Sequence, residues 1–138
     1  MSLWSARVCF EPRVLRAAEG AGLEGGRAVA ARLLRDGLPD AVLCATGRQA
    51  VGALEELRNA GVSVPGRTLL ATASDSEHAR TSNPTISAID MHPERLAEGA
   101  VEMLHGLIHN TPVAERVRLP TTFIVRESTA PLSRRHRI

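Results

Sequence analysis

The sequence predicts an α/β fold, a parallel sheet flanked by helices, on three observations. Short apolar runs alternate with segments of helical hydrophobic periodicity, in the order strand, helix, strand, helix, strand. Glycine, proline and asparagine stand where those segments should stop. The 138 residues, 43% hydrophobic and 23% charged, suit one globular unit or part of a larger one and exclude a disordered or fibrous chain.

Each element has its own signal. Arg13 to Ala18 reads as a first strand, followed by a turn punctuated by Gly20, Gly22, Gly25 and Gly26. A helix is predicted from about Leu23 to Asp36, with Val29, Leu33 and Leu34 inward and Gly37 closing it at the first position past its end. Pro39 and Asp40 open the continuous apolar run to Ala45, which predicts a strand buried on both faces. A second helix runs from about Arg48 to Ala60, with Val51, Leu54 and Leu57 at helical spacing, and stops at Gly61. The Pro65-Gly66 turn leads to a third strand, Thr68 to Ala73. The polar stretch Ser74 to Pro84 reads as a functional loop or surface crossover, leading into Ile86-Ser87-Ala88-Ile89. The strongest helical pattern follows Pro93, where Leu96, Ala97, Ala100, Val101, Leu104, Leu107 and Ile108 form one apolar stripe ended by Asn110-Thr111-Pro112. Arg116 to Arg126, interrupted by Pro120, is a final extended segment.

Composition removes several mechanisms. All 17 basic residues are Arg, and there is no Lys and no Tyr. A phosphate loop ending in Gly-Lys-Ser/Thr, a pyridoxal Schiff base and a Tyr-Lys dehydrogenase pair are therefore excluded. Cys9 and Cys44 have no metal-ligand spacing, so zinc is not expected, and Cys44 inside its apolar run reads as a small buried thiol. His105 and His109 are four apart on one helix face, but no third ligand is evident and they read as a surface pair. No run approaches the roughly 18 apolar residues of a membrane span, and the chain start lacks the apolar core of a signal peptide. The reading is a cytoplasmic protein with no membrane contact, no metal and no cofactor.

Two motifs compete for a catalytic reading. Gly20-Ala21-Gly22-Leu23-Glu24-Gly25 satisfies G-x-G-x-x-G between a strand and a helix, the context of a dinucleotide fingerprint, which supplies the alternative of a nucleotide-binding oxidoreductase fragment. Against it, the next strand ends Ala45-Thr46-Gly47, without the acid a ribose requires, and Asp40 lies at that strand's wrong end. Ser74-Asp75-Ser76-Glu77-His78 brings serines, an Asp and a His together in sequence, whereas a triad converges in space. No catalytic residue is assigned, and the chain is read as a non-enzyme.

Several ordered blocks carry a family resemblance. They are Pro39-Asp40-Ala41-Val42-Leu43-Cys44-Ala45, Ala50-Val51-Gly52-Ala53-Leu54, Gly61-Val62-Ser63-Val64-Pro65, Asn83-Pro84-Thr85-Ile86-Ser87-Ala88-Ile89, the helix with Glu94-Arg95-Leu96-Ala97 and Ala100-Val101-Glu102-Met103-Leu104, and Leu119-Pro120 with Val125-Arg126-Glu127-Ser128-Thr129. From about Pro12 to Ala130 the chain resembles the lac-repressor (LacI/GalR) family of transcription regulators. The resemblance implies the carboxyl-terminal part of a type I periplasmic-binding-protein-like effector domain. Residues 12–90 would form the carboxyl-terminal lobe. Residues 91–115 would be a crossover helix belonging to an amino-terminal lobe not in this chain, 116–130 a returning extended segment, and 131–138 a basic tail.

The resemblance also implies partners and a site. A small effector, sugar-like or nucleobase-like, would bind between two lobes. DNA would be reached only through a helix-turn-helix absent from this chain. The family's dimer contacts fall around Val51 and near His78, and an apolar helix stripe without its lobe points to a homodimer. The ligand-binding candidates, at strand ends where open parallel sheets bind ligands, are Ala21, Thr46, Arg48, Ser74, Asp75 and Met91. The family's Asn-Asp becomes Thr46-Gly47, its aromatic becomes Ala21, its Gly-Phe/Tyr-Asp-Asp becomes Thr72-Ala73-Ser74-Asp75, and its crossover Gln becomes Met91. The usual polar sugar contacts are thus depleted.

Overall fold

The computed structural model describes residues 20–130. The predicted first strand, Cys9 and the basic tail lie outside them. The elements are α1 (Leu23–Asp36), β1 (Ala41–Cys44), α2 (Gly47–Asn59), β2 (Leu69–Thr72), α3 (Glu77–Thr81), β3 (Ser87–Asp90), α4 (Pro93–Ile108), β4 (Thr122–Ile124) and a 3-10 turn over Glu127–Thr129. α1 and α4 have the bounds the periodicity predicts, because Gly37, Pro93 and Asn110 each mark a backbone change. Gly37 and Asn110 have φ of 111° and 54°, and Pro93 fills the first turn of α4.

The four strands form one sheet in the order β1-β2-β3-β4. β1, β2 and β3 are parallel, as the helical crossovers require, and β4 returns antiparallel to β3. The expected parallel sheet is therefore mixed: the last connection runs out through α4 and back, so it need not be a right-handed crossover. A second correction concerns the polar stretch after β2, which contains the five-residue α3, capped where the Ser76 hydroxyl accepts the Ala79 N–H.

α2 covers one face of the sheet, and α1 packs on α2. The core joins Ala30, Ala50, Ala53, Leu54 and Leu57 to Cys44, Leu70 and Ile86. β1 corrects a third expectation, burial on both faces. Cys44 is buried, whereas Leu43 is 62% exposed, as are Leu69 and Phe123 at 39% and 50% on the same sheet face. An apolar run shows that both faces suit burial, and here only one has a covering layer among the described residues. α1 and α2 meet backbone to backbone: a Cβ on Gly26 would collide with the Gln49 carbonyl, and one on Gly52 with that of Leu23. Two glycines of the Gly-rich turn, Gly25 and Gly26, are buried within α1, where Gly26 lets the helices close.

α4 stands apart from this body. Its side bearing Gly99, Met103 and Gly106 faces the returning segment, Gly106 directly under Val113. Its apolar stripe is uncovered, with Leu96, Val101, Leu104, Leu107 and Ile108 all 57–65% exposed. Among the described residues no helix is long and apolar enough to cross a membrane.

Candidate functional site

The carboxyl ends of the three parallel strands share one edge, because the register sets Cys44 beside Thr72 and Thr72 beside Ala88. The ladder extends past the strands: Ala73 N–H donates to Cys44 O at 2.8 Å and Asp75 N–H to Ile89 O at 3.2 Å. The loops carrying Thr46, Ser74 and Met91 consequently leave the sheet side by side.

Thr46 ties two of these loops. As N-cap of α2 its hydroxyl accepts the Gln49 N–H at 3.2 Å and donates to Ala21 O at 2.7 Å, while Gln49 Nε2 donates to Gly20 O at 3.0 Å. Serine or threonine at a strand end before a helical pattern is a cap signal, and here it brings the Gly-rich turn to the amino end of α2. Gly47 is buried under Ser76, whose hydroxyl a Cβ would strike, so the loops after β1 and β2 are in contact as well. Ser74 is half-buried, its N–H donating to Thr72 Oγ1 at 3.4 Å. Arg48, in the first turn of α2, is exposed and has no ion-pair partner among the described residues. Met91, just past β3, is 50% exposed. Ala21, Thr46, Arg48, Ser74 and Met91 thus gather along one edge.

Asp75 differs from the others. Its side chain is 11% exposed and stands between two guanidinium groups, Arg126 Nη2 at 2.8 Å from Oδ1 and Arg80 Nη1 at 3.4 Å from Oδ2. The closer contact is charge against charge, off the line a hydrogen bond needs. Arg126 also donates to Ile86 O at 2.8 Å, so it binds the returning segment to the ends of both β2 and β3. Sequence reasoning gave Arg126 no role, since nothing local links it to Asp75. Beside it, Ser128 accepts the Ser87 N–H at 2.9 Å and donates to Leu70 O at 2.5 Å, with all three residues buried. The exposed Glu127 accepts the N–H and hydroxyl of Thr85, and these bonds hold its carboxyl below the ordinary range.

His92 was also missed. Its backbone adopts φ 51°, held by its own N–H donating to Asp90 Oδ1 at 2.8 Å. Its ring lies 3.2 Å from Asp90 Oδ2 and 3.0 Å from Thr122 Oγ1. It joins the chain leaving for α4 to the chain coming back. The cue was its place beside Pro93, where a helix must begin. Cys44 is buried, and desolvation pushes its thiol up to about 11, which makes it a poor nucleophile.

Comparisons with known proteins follow this geometry. Residues 6–129 match the periplasmic binding protein-like domain. Over 105 residues the chain is 30% identical to the HTH-type transcriptional repressor MelR of Bacillus subtilis, covering 76% of this chain and 30% of that protein. It is also 30% identical over 90 residues to the lactose operon repressor of Rhizobium radiobacter, covering 65% of this chain and 80% of that sequence. The transcription regulator CcpA of Lactococcus lactis superposes with a TM-score of 0.74 at 25% identity, over 80% of this chain and 41% of that one. The chain thus spans less than half the length of MelR and CcpA. Nothing in these comparisons supports an oxidoreductase, and the buried glycines of α1 have a packing role instead. The chain belongs to the periplasmic binding protein-like family, as part of the effector-binding domain of a LacI/GalR-type transcription regulator.

Proposed function

We propose that the strand-end edge is one wall of a cleft for a small effector, sugar-like or nucleobase-like, in a non-enzymatic cytoplasmic sensor. The observation that carries this reading is the convergence of Ala21, Thr46, Arg48, Ser74 and Met91 at the carboxyl ends of three parallel strands. Asp75 serves that wall from behind: its charge is already engaged by Arg126 and Arg80, so it positions the Ser74 loop. Residues 91–115 act as the crossover to a second lobe and 116–130 as the return, with the α4 stripe as the surface that a lobe, or in this chain alone a second copy, covers. DNA recognition would fall to a helix-turn-helix, as the name of the HTH-type relative implies, and not to the effector wall.

One wall supplies part of a clamp's contacts, so affinity for the isolated chain is expected to be weak. A thermal-shift panel of sugars and nucleobases should give a modest, saturable rise in Tm for one chemical class, lost in Arg48→Ala. A panel with no shifts, or shifts unchanged by Arg48→Ala and by Ser74→Val, would defeat the assignment.

A further inference from the structure

Glu98, Glu102, His105 and His109 follow one another along α4 at helical spacing, off its apolar stripe; Glu98 and Glu102 border the returning segment at Val117, Leu119 and Pro120, and the two histidines are exposed at the carboxyl end of the helix. The two imidazoles are stacked, with ring centroids 4.1 Å apart and planes inclined by 29°. His109 Nδ1 lies 2.9 Å from His105 O. A carbonyl oxygen only accepts, so Nδ1 carries the proton and the lone pair of the neutral ring stands on Nε2. A backbone carbonyl holding one imidazole nitrogen is the usual outer partner of a histidine that binds metal through the other. Both rings are exposed, and neither pairs with a carboxylate among the described residues. They occupy the carboxyl end of α4, the negative end of the helix dipole, and His109 is the C-cap itself.

We propose that His105 and His109 form a two-imidazole site for a divalent transition-metal ion on the solvent side of α4. Neutral nitrogen donors select Zn²⁺, Ni²⁺ or Cu²⁺ over Mg²⁺ and Ca²⁺, which take oxygen ligands. The rings as stacked do not converge, so His105, whose nitrogens are not held by any described residue, turns one toward the ion while His109 stays on its carbonyl, and water completes the coordination. Chelation across four residues pins the last turn of the helix, so the ion stabilises the folded arm by binding it in preference to the unfolded chain. The site is independent of the effector wall, which lies at the strand ends.

The test is titration of the full, untagged chain, stripped with chelator, with ZnCl₂, NiCl₂ and CuCl₂ at pH 7.5, followed by calorimetry and by thermal melts read in the far ultraviolet. Binding of one ion per chain is expected, tightest for Cu²⁺, with a raised Tm. His105→Ala and His109→Ala should each weaken it by at least about tenfold, as loss of a metal-site partner does. His92→Ala and His78→Ala should leave it unchanged. Both target side chains are exposed, so the metal-free variants should melt like the parent. Absence of binding up to millimolar ion, or binding retained by the His105→Ala/His109→Ala double variant, would overturn the proposal.

Discussion

α2 and α4 are both amphipathic, yet they use their apolar faces in opposite ways. In α2, Ala50, Ala53, Leu54 and Leu57 are at most 5% exposed, pressed between the sheet and α1. In α4, the broader stripe of Leu96, Val101, Leu104, Leu107 and Ile108 stands more than half in solvent. Five such side chains fully buried would each contribute about 1.5–3 kcal/mol, a total on the order of a whole domain's stability. Periodicity therefore states that a face needs cover and says nothing about which chain supplies it. On the α1–α2 side the body closes on itself, whereas the opposite sheet face and the stripe of α4 are left open among the described residues.

The contrast can be broken most directly at matched leucines. Leu57→Ala, at a site 1% exposed, should cost about 2–5 kcal/mol in urea unfolding, whereas Leu104→Ala should cost under about 0.5 kcal/mol in the monomeric chain. Light scattering should report twice the 14.8 kDa chain mass for the parent and a monomer for Leu104→Glu. Equal costs for the two alanine variants, with no change of mass, would erase the distinction. Glycines sharpen it next. Gly52→Ala forces α1 off α2 and should cost about 3 kcal/mol, since backbone cannot yield as a side chain can.

Between these in kind is the thiol of the body. Burial raises Cys44 from 9.0 to about 11, so above pH 9 the unfolded chain releases a proton that the folded chain keeps. Stability should be complete below about pH 9 and fall by on the order of 2 kcal/mol as pH climbs toward 11. Cys44→Ala should flatten that decline, and an unaltered alkaline slope would show that Cys44 is not its source. The smallest expected effect has the opposite sign: Gly99→Ala in α4, where a Cβ meets nothing within 4 Å, should stabilise the arm by about 0.5–1 kcal/mol in a far-ultraviolet melt.

The sequence was most legible where a local rule sets the backbone. Gly37, Gly61 and Pro93 end or begin helices through their own φ preferences, and strand-helix alternation fixes the direction of β1, β2 and β3. It was silent where two distant segments decide. The antiparallel pairing of β4 depends on how far the chain travels through α4 before Phe123 meets Ile89. Five residues of α3 are too few for a hydrophobic period, leaving only the Ser76 cap as a trace. In the candidate site, Thr46 and Ser74 were legible because ligand edges follow strand ends, while the Asp75–Arg126 pair was not, because charge complementarity across a fold leaves no spacing to read.

The way β3 and β4 lie together has an architectural consequence. Asp90 stands opposite Thr122 in the antiparallel register, so everything from Met91 to Thr121 departs and returns through two backbones about 5 Å apart. That is the geometry of a cassette plugged into a hairpin. The body feels only the spacing of the two ends, clasped by His92 against Thr122. Replacing the arm by a tight two-residue turn would remove Met91 from the strand-end edge but leave Ala21, Thr46, Arg48 and Ser74, the Ser87–Ser128 stitching and the α1–α2 core in place, and a foreign helix with closely spaced termini could be grafted there without rewriting the sheet.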